Sequence, residues 1–227
     1  MPKDSLSRLK NQLALLFVSR EARRHARVGS PRLWKMEREF QFDFLKRMGL
    51  ERTQVLLDLG CGTLRGGLPL IEFLERGHYI GVDVRADVLD EARAELREAG
   101  LEHKSPVLLH ATELGTLELS RPVDWIWAFS VLIHMQDAVL EQAFELVGRH
   151  LAQDGCFYAN VRTEGGTEGE RWQEFPVLTR SLGFYREMGA HRGLVLRDLG
   201  SLSGLGHASG DPAQDRQRML LWRRGAR

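Results

Sequence analysis

The sequence Val-Leu-Leu-Asp-Leu-Gly-Cys-Gly occupies residues 55–62. It begins as an apolar strand interrupted by the carboxylate of Asp58, and its two glycines predict a sharp turn whose backbone a ligand can approach closely. Twenty-one residues beyond Gly62, a second apolar stretch ends in Gly81-Val82-Asp83. A carboxylate at that position is placed to accept two hydrogen bonds from a ribose diol. Together the two segments predict an adenosine site.

The sequence around these segments alternates between strand and helix, which is typical of a parallel sheet covered on both faces. The predicted strands are Gln54–Leu59, His78–Asp83, Val107–Ala111, Trp125–Phe129, Gly155–Asn160, Gly193–Asp198 and Gln217–Trp222. The predicted helices between them are Gly66–Arg76, Ala86–Ala99, Phe175–Met188 and Ala138–His150. We therefore expect an α/β fold, a three-layer α/β/α sandwich with a seven-stranded, mostly parallel sheet and an antiparallel last strand.

The region before the first strand is predicted to be helical. Apolar residues between Leu6 and Phe17 recur at helical spacing with basic residues between them, and a second helix is predicted over Leu33–Met48. The first helix has two interpretations: it caps its own domain, which we favour, or it lies on an acidic lipid surface or a partner. We expect a helical cap over residues 1–50 and a catalytic domain over residues 51–227.

Composition narrows the class of protein. The chain has 227 residues, 43% hydrophobic and 28% charged, with a formal net charge of +1, which is typical of a soluble enzyme. Seven basic and two acidic residues fall within residues 1–30. Because this basic charge is confined to one short segment, we expect a small-molecule substrate and no nucleic acid. No apolar run approaches the roughly 20 residues of a membrane span, so no stable membrane insertion is expected.

The two cysteines, Cys61 and Cys156, are interpreted as free thiols in a reducing compartment, which predicts a cytoplasmic protein. Cys61 lies in the glycine turn, where it is interpreted as a small buried hydrophobe more than as a nucleophile. Neither cysteine has a partner at metal-ligand spacing, and no histidine–glutamate pair has one, so no metal is expected.

The glycine turn distinguishes between nucleotide ligands. A dinucleotide-binding turn has a third glycine at the position of Arg65, and the lysine and hydroxyl residue of a phosphate-binding loop are also missing. A carboxylate at Asp58 would repel a pyrophosphate and attract a cation. These features favour a ligand that is cationic beside the turn.

The sequence resembles the class I S-adenosylmethionine-dependent methyltransferases through Val55–Thr63 and Tyr79–Asp83, with the resemblance spanning about residues 50–160. It implies a Rossmann-like domain with S-adenosylmethionine as cofactor. By this resemblance Gly60 and Gly62 line the cofactor, Asp58 orients its methionine part and Asp83 holds its ribose. The other residues assigned to the cofactor are Cys61, Arg65, Val84, Thr112 and Ser130.

The chain departs from the family pattern after the second glycine, where Leu64 replaces a third small residue and Arg65-Gly66-Gly67 follows. The glycines have thus moved to the start of the next helix. Arg65 has two interpretations: it reaches the cofactor carboxylate or an acidic substrate, or it is solvent-exposed.

Candidate substrate residues follow from the same strand ends. His134, just past the fourth strand, is the candidate general base, and Asn160 and His207 are candidate substrate contacts at the same edge of the sheet. For both histidines a purely structural role is the alternative. The N-terminal helices and the loop 162–175 are predicted to cover the substrate half, with Arg162, Arg171 and Trp172 available to it.

The resulting hypothesis is methyl transfer to an oxygen, nitrogen or carbon of a small molecule. The alternative is a noncatalytic module that uses the nucleoside pocket for sensing or as a scaffold. A nicotinamide oxidoreductase conflicts with Arg65 at the third-glycine position.

Overall fold

The computed structural model describes residues 24–167 and 169–225, so the predicted basic helix at Leu6–Phe17 lies outside the described residues. The strands are β1 (Leu56–Leu59), β2 (Tyr79–Asp83), β3 (Val107–His110), β4 (Val123–Ala128), β5 (Leu151–Val161), β6 (Arg171–Trp172), β7 (Phe175–Pro176), β8 (Leu194–Ser201) and β9 (Arg218–Arg224). The helices are α1 (Trp34–Arg47), α2 (Gly67–Phe73), α3 (Ala86–Glu98), α4 (Asp137–His150), α5 (Leu182–Ala190) and α6 (Pro212–Asp215). None of the described helices is long and apolar enough to cross a membrane.

Seven strands form one sheet in the order β3-β2-β1-β4-β5-β9-β8. The pairs from β3 to β5 are parallel, whereas β9 is antiparallel to both β5 and β8. The predicted fold class is therefore confirmed, and the antiparallel last strand lies inside the sheet and not at its edge. Because the first five strands are parallel, their carboxyl ends meet at one edge.

The sheet is buried on both faces. One face packs against α4 and α5, through residues such as Phe144 and Tyr185, and the other packs against α1, α2 and α3. Phe44 and Leu45 of α1 are fully buried, and the ring of Phe44 lies 5.6 Å from that of Trp127 on β4. Burying one such side chain contributes about 1.5–3 kcal/mol, so α1 is anchored firmly to the sheet.

The predicted helix over Phe175–Met188 is wrong at its start. Phe175 and Pro176 form a two-residue strand that pairs with Arg171 and Trp172, and α5 begins only at Leu182. A proline disfavours the helical conformation in the residue before it. Ser181 caps α5 instead, where its hydroxyl accepts a 3.1 Å hydrogen bond from the amide of Phe184.

Candidate active site

A cavity of about 350 Å³ lies at the carboxyl edge of the sheet, beyond the ends of β1, β2 and β4. All nine residues assigned to the cofactor from the sequence line it, namely Asp58, Gly60, Cys61, Gly62, Arg65, Asp83, Val84, Thr112 and Ser130. His134 lines it as well. The structure thus brings together the strand ends that the sequence motifs marked. Their roles toward a ligand stay predictions.

Asp58 is buried in the wall of this cavity, in register with Gly81 on β2 and Trp127 on β4. Its Oδ2 accepts a 2.6 Å hydrogen bond from the hydroxyl of Tyr79. Burial raises the pKa of Asp58 to about 7, the Tyr79 hydrogen bond opposes this, and the nearby Asp83 adds to it. Asp58 therefore changes charge near neutral pH.

The glycine turn between β1 and α2 brings the backbone close to the cavity. Gly60 has φ +76°, and a Cβ there would lie 2.3 Å from a methyl of Val131. At the position where the family has a third small residue, this chain has Leu64, which is fully buried and has φ +64°. A left-handed backbone costs a residue with a Cβ roughly 1–2 kcal/mol, so this turn carries strain that the packing of Leu64 offsets.

Asp83 ends β2 and closes the turn. Its Oδ2 accepts the amide of Gly62 at 3.0 Å and its Oδ1 accepts the amide of Arg85 at 2.9 Å. The guanidinium of Arg85 also lies 3.5 Å from Oδ1. Asp83 therefore holds the turn after β1 and the turn after β2 in fixed relative positions. It also presents a carboxylate to the cavity.

Arg65 is buried, so the solvent-exposed interpretation is wrong. It forms an ion pair with Glu37 of α1, donates a 3.0 Å hydrogen bond to the carbonyl of Val28, and lies 5.9 Å from the ring of Trp34. Burial lowers its pKa, whereas Glu37 and Asp58 raise it. A buried guanidinium in the cavity wall can receive a carboxylate.

The sequence reasoning missed several lining residues. Val28 and Gln41 reach the cavity from the N-terminal region, and Arg85 reaches it from the turn after β2. The backbone of residues 26–28 is held by side chains from three elements: its carbonyls accept hydrogen bonds from Gln173, Arg85 and Arg65. No local pattern marks these contacts, because they join segments far apart in the sequence.

Ser130 lies at the end of β4 with φ +57°, a conformation rare for serine. Asn160, on β5, supports it: its Oδ1 accepts the amide of Ser130 at 2.6 Å, and its Nδ2 donates to Gln217 at 2.5 Å. Asn160 is fully buried and lies outside the cavity lining. The structure thus places this predicted substrate residue behind the wall.

His134 faces the hairpin β6–β7. Its Nδ1–H donates a 2.8 Å hydrogen bond to the carbonyl of Pro176, and its ring lies 5.4 Å from that of Trp172. Burial lowers the pKa of His134, the Pro176 contact opposes this, and Arg85 lowers it further. The ring is therefore neutral at pH 7, and its Nε2 carries the lone pair.

The hairpin covers the cavity beside His134, as the sequence predicted for the loop 162–175. Trp172, Phe175 and Pro176 line it. The two predicted arginines do not: Arg162 pairs with Glu170 at 2.8 Å, and Arg171 donates to the carbonyl of Glu174 within the hairpin.

His207 is buried one layer behind the cavity. Its Nδ1 donates to Asp215 at 2.9 Å, and its ring packs 5.0 Å from Phe40 and 5.9 Å from Phe129. Phe129 lines the cavity, whereas His207 does not. A supporting role therefore fits its surroundings better than a substrate contact.

Cys61 lines the cavity but is buried, and burial raises the pKa of its thiol, so it is a thiol and not a thiolate at neutral pH. Cys156 is also buried and forms no disulfide. Within residues 24–167 and 169–225, no group of three or more His, Cys, Asp or Glu side chains is placed to hold a metal ion.

Solved structures share this architecture. The magnesium protoporphyrin IX methyltransferase from Synechocystis is 15% identical, with a TM-score of 0.63 over 86% of this chain and 81% of that one. The CcbJ methyltransferase from Streptomyces caelestis is also 15% identical, with a TM-score of 0.62 over 83% of this chain and 90% of that one. At such low identity the likeness concerns the fold.

The amino-acid sequence also matches a known protein and a family model, each over part of the chain. An uncharacterized protein from Rickettsia prowazekii is 25% identical over 112 residues, which are 49% of this chain, and the match spans only 20% of that protein's length. Residues 57–157, which run from β1 through β4 into β5, match the model of the methyltransferase domain family. This match covers less than half of the chain, so it shows that residues 57–157 are similar to a methyltransferase domain, and the solved structures show that the chain has the fold of methyltransferases.

Proposed function

We propose that this protein transfers the methyl group of S-adenosylmethionine to a small-molecule acceptor. One observation carries the proposal. Asp58, the glycine turn, Asp83 and His134 all line the same cavity at the carboxyl ends of parallel strands. Its volume of about 350 Å³ lies in the range of small-molecule sites, and residues from the N-terminal region and from the hairpin β6–β7 line it, which supports a small-molecule acceptor.

The residues present fit the cofactor. The buried carboxylate of Asp58 can pair with the ammonium group of S-adenosylmethionine, and the buried guanidinium of Arg65 can pair with the carboxylate of the cofactor. The carboxylate of Asp83 can accept hydrogen bonds from the ribose of the cofactor. A Cβ at Gly60 would clash with Val131, so glycine lets the turn pack closely against this lining residue while its backbone stays at the cavity. When bound, S-adenosylmethionine supplies an electrophilic methyl group that an oxygen, nitrogen or carbon nucleophile takes from the sulfur.

The protein's part in such a reaction is chiefly alignment and exclusion of water. Trp172, Phe175 and Pro176 form an apolar cover over the acceptor side of the cavity. His134 is positioned by Pro176 so that its Nε2 can take a proton from an acceptor hydroxyl. Because the two cysteines are buried and unpaired, we propose that the protein works in the reducing cytoplasm.

The test is a methyl-transfer screen. The purified protein is incubated with methyl-labelled S-adenosylmethionine and a cell extract of small molecules, and products are followed by mass spectrometry. A labelled product that forms together with S-adenosylhomocysteine supports the proposal. Binding of S-adenosylhomocysteine without turnover of any acceptor would favour a sensing or scaffold module instead.

A further inference from the structure

The hydroxyl of Tyr79 is buried against the cofactor cavity without lining it. Tyr79 is the first residue of β2, is 1% exposed, and donates its 2.6 Å hydrogen bond to Asp58 Oδ2. A hydroxyl that donates to a carboxylate favours the ionised form of that carboxylate, and it also fixes the side-chain rotamer. Tyr79 therefore acts on both the charge and the orientation of Asp58.

Gly67 gives an independent indication that this contact matters. A Cβ at Gly67 would lie 2.4 Å from the Tyr79 hydroxyl and 2.7 Å from a methyl of Leu64. Gly67 is the first residue of α2 and does not have a positive φ, so its backbone does not require glycine. Helix propensity also favours alanine over glycine. The glycine is thus explained by the space that Tyr79 and Leu64 occupy.

Gly66, the preceding residue, is also explained by a side chain that occupies the space a Cβ would need. A Cβ there would lie 2.5 Å from the side-chain oxygen of Gln41, which also accepts a 3.0 Å hydrogen bond from the indole of Trp127. The pair Gly66-Gly67, which departs from the family pattern, therefore makes room for two polar side chains beside the cavity. One of them is the partner of Asp58.

Other charged and titratable groups also act on Asp58. Asp83 on β2 opposes its ionisation, whereas Arg65 from the turn favours it. Arg65 is itself neutralised in part by Glu37 of α1, and the Cys61 thiol is un-ionised at neutral pH. In this balance the hydrogen bond from Tyr79 is the second-largest influence on Asp58 after burial.

We propose that Tyr79 is a positioning residue that holds Asp58 ionised and aimed at the amino group of the cofactor, in a space that Gly67 leaves open. The inference rests on the proposed function, since it needs the cofactor in this cavity. The inference predicts that cofactor affinity depends on pH. A protonated Asp58 cannot pair with an ammonium group, so cofactor affinity rises as Asp58 loses its proton, around pH 7.

The experiment is calorimetric titration of the full chain with S-adenosylhomocysteine between pH 5.5 and 9. For the wild type we expect affinity to rise through about pH 7 and then level off. Tyr79→Phe removes a hydrogen bond that favours the ionised carboxylate, and so moves the midpoint up by roughly one pH unit or more. At pH 6 its affinity should be at least about tenfold weaker, and near pH 9 the two proteins should converge.

Two further variants separate this effect from a general loss of packing. Tyr185→Phe removes the hydroxyl of another fully buried tyrosine, on α5 and outside the cavity lining, and should leave the pH profile unchanged. Gly67→Ala keeps Tyr79 but displaces its hydroxyl, and should shift the profile as Tyr79→Phe does. If Tyr79→Phe folds too poorly to titrate, Gly67→Ala carries the test.

Identical pH profiles for the wild type, Tyr79→Phe and Gly67→Ala would overturn the inference and leave the proposed function standing. A profile that is lowered equally at every pH would also overturn it, because a merely structural role predicts that result. Absence of S-adenosylhomocysteine binding by the wild type at every pH would overturn the proposed function, and the inference with it.

Discussion

Replacing Leu64 by glycine probes the strained turn that departs from the family pattern. Leu64 has φ +64° and is fully buried, so two opposing changes accompany its loss. Truncating a buried leucine to alanine costs about 2–5 kcal/mol, and alanine keeps the left-handed strain. Glycine relieves roughly 1–2 kcal/mol of that strain. It also lowers the free energy of unfolding by about 0.5–1 kcal/mol, because glycine makes the unfolded chain more flexible. Leu64→Gly should therefore be more stable than Leu64→Ala by about 0.5–1 kcal/mol.

The matched control is Leu70, which is equally buried but lies inside α2. There no left-handed strain is present, and glycine should be less stable than alanine by about 1 kcal/mol. The assay is the free energy of unfolding from denaturant titration of the four variants. A Leu64→Gly protein less stable than Leu64→Ala, in the same order as at Leu70, would refute the account of the turn.

The remaining predictions concern the acceptor side. His134→Ala should lower kcat about a hundredfold for a hydroxyl acceptor, because Nε2 is the candidate base, with little change in affinity for S-adenosylhomocysteine; an unchanged kcat removes that role. Because burial lowers the pKa of His134, wild-type kcat should decline only at a pH below that at which an ordinary histidine is protonated. Asn160→Ala should weaken S-adenosylhomocysteine binding about tenfold, since it frees the strained Ser130 amide. Gln54→Ala, which cuts a 2.8 Å bond to Trp125 outside the cavity lining, should leave that binding unchanged, and equal effects of the two variants would contradict the role of Asn160.

Most residues of the predicted cofactor side lie at the end of an apolar strand or in the turn after it, which is why the sequence predicts that they come together. Once Leu56–Leu59, Tyr79–Asp83 and Val123–Ala128 form parallel strands, their carboxyl ends must meet, and residues such as Asp58, Asp83 and Ser130 converge without any further information. The order of the strands in the sheet does not follow from this alternation and is known only from the structure.

The sequence predicts that the N-terminal helices and the loop 162–175 cover the substrate half, but it does not predict which of their side chains reach the cavity. The strands of the hairpin at Arg171–Pro176 are two residues long, too short for a periodic pattern, and the hairpin follows a glycine-rich loop. Val28 and Gln41 reach the cavity only through long-range packing of the N-terminal region. The predicted helix at Phe175 failed because apolar spacing there outweighed the proline signal at residue 176.

The two candidates placed behind the wall show a second limit. Asn160 and His207 contact the lining residues Ser130 and Phe129 from behind, because strand position alone does not tell which side chains point into a cavity and which support its wall. The positive φ of Leu64 and Ser130 was equally hidden, since neither residue type favours it.

Calorimetric titration with S-adenosylhomocysteine and with NAD tests the central claim most directly, on the wild type, Asp83→Ala and His207→Ala. We expect one S-adenosylhomocysteine site in the wild type and no comparable NAD binding. Asp83→Ala should lose affinity because it removes the carboxylate that accepts the amide of Gly62 and that we propose holds the ribose, whereas His207→Ala, behind Phe129, should keep affinity. Tight NAD binding without S-adenosylhomocysteine binding, or equal losses in the two variants, would contradict the account.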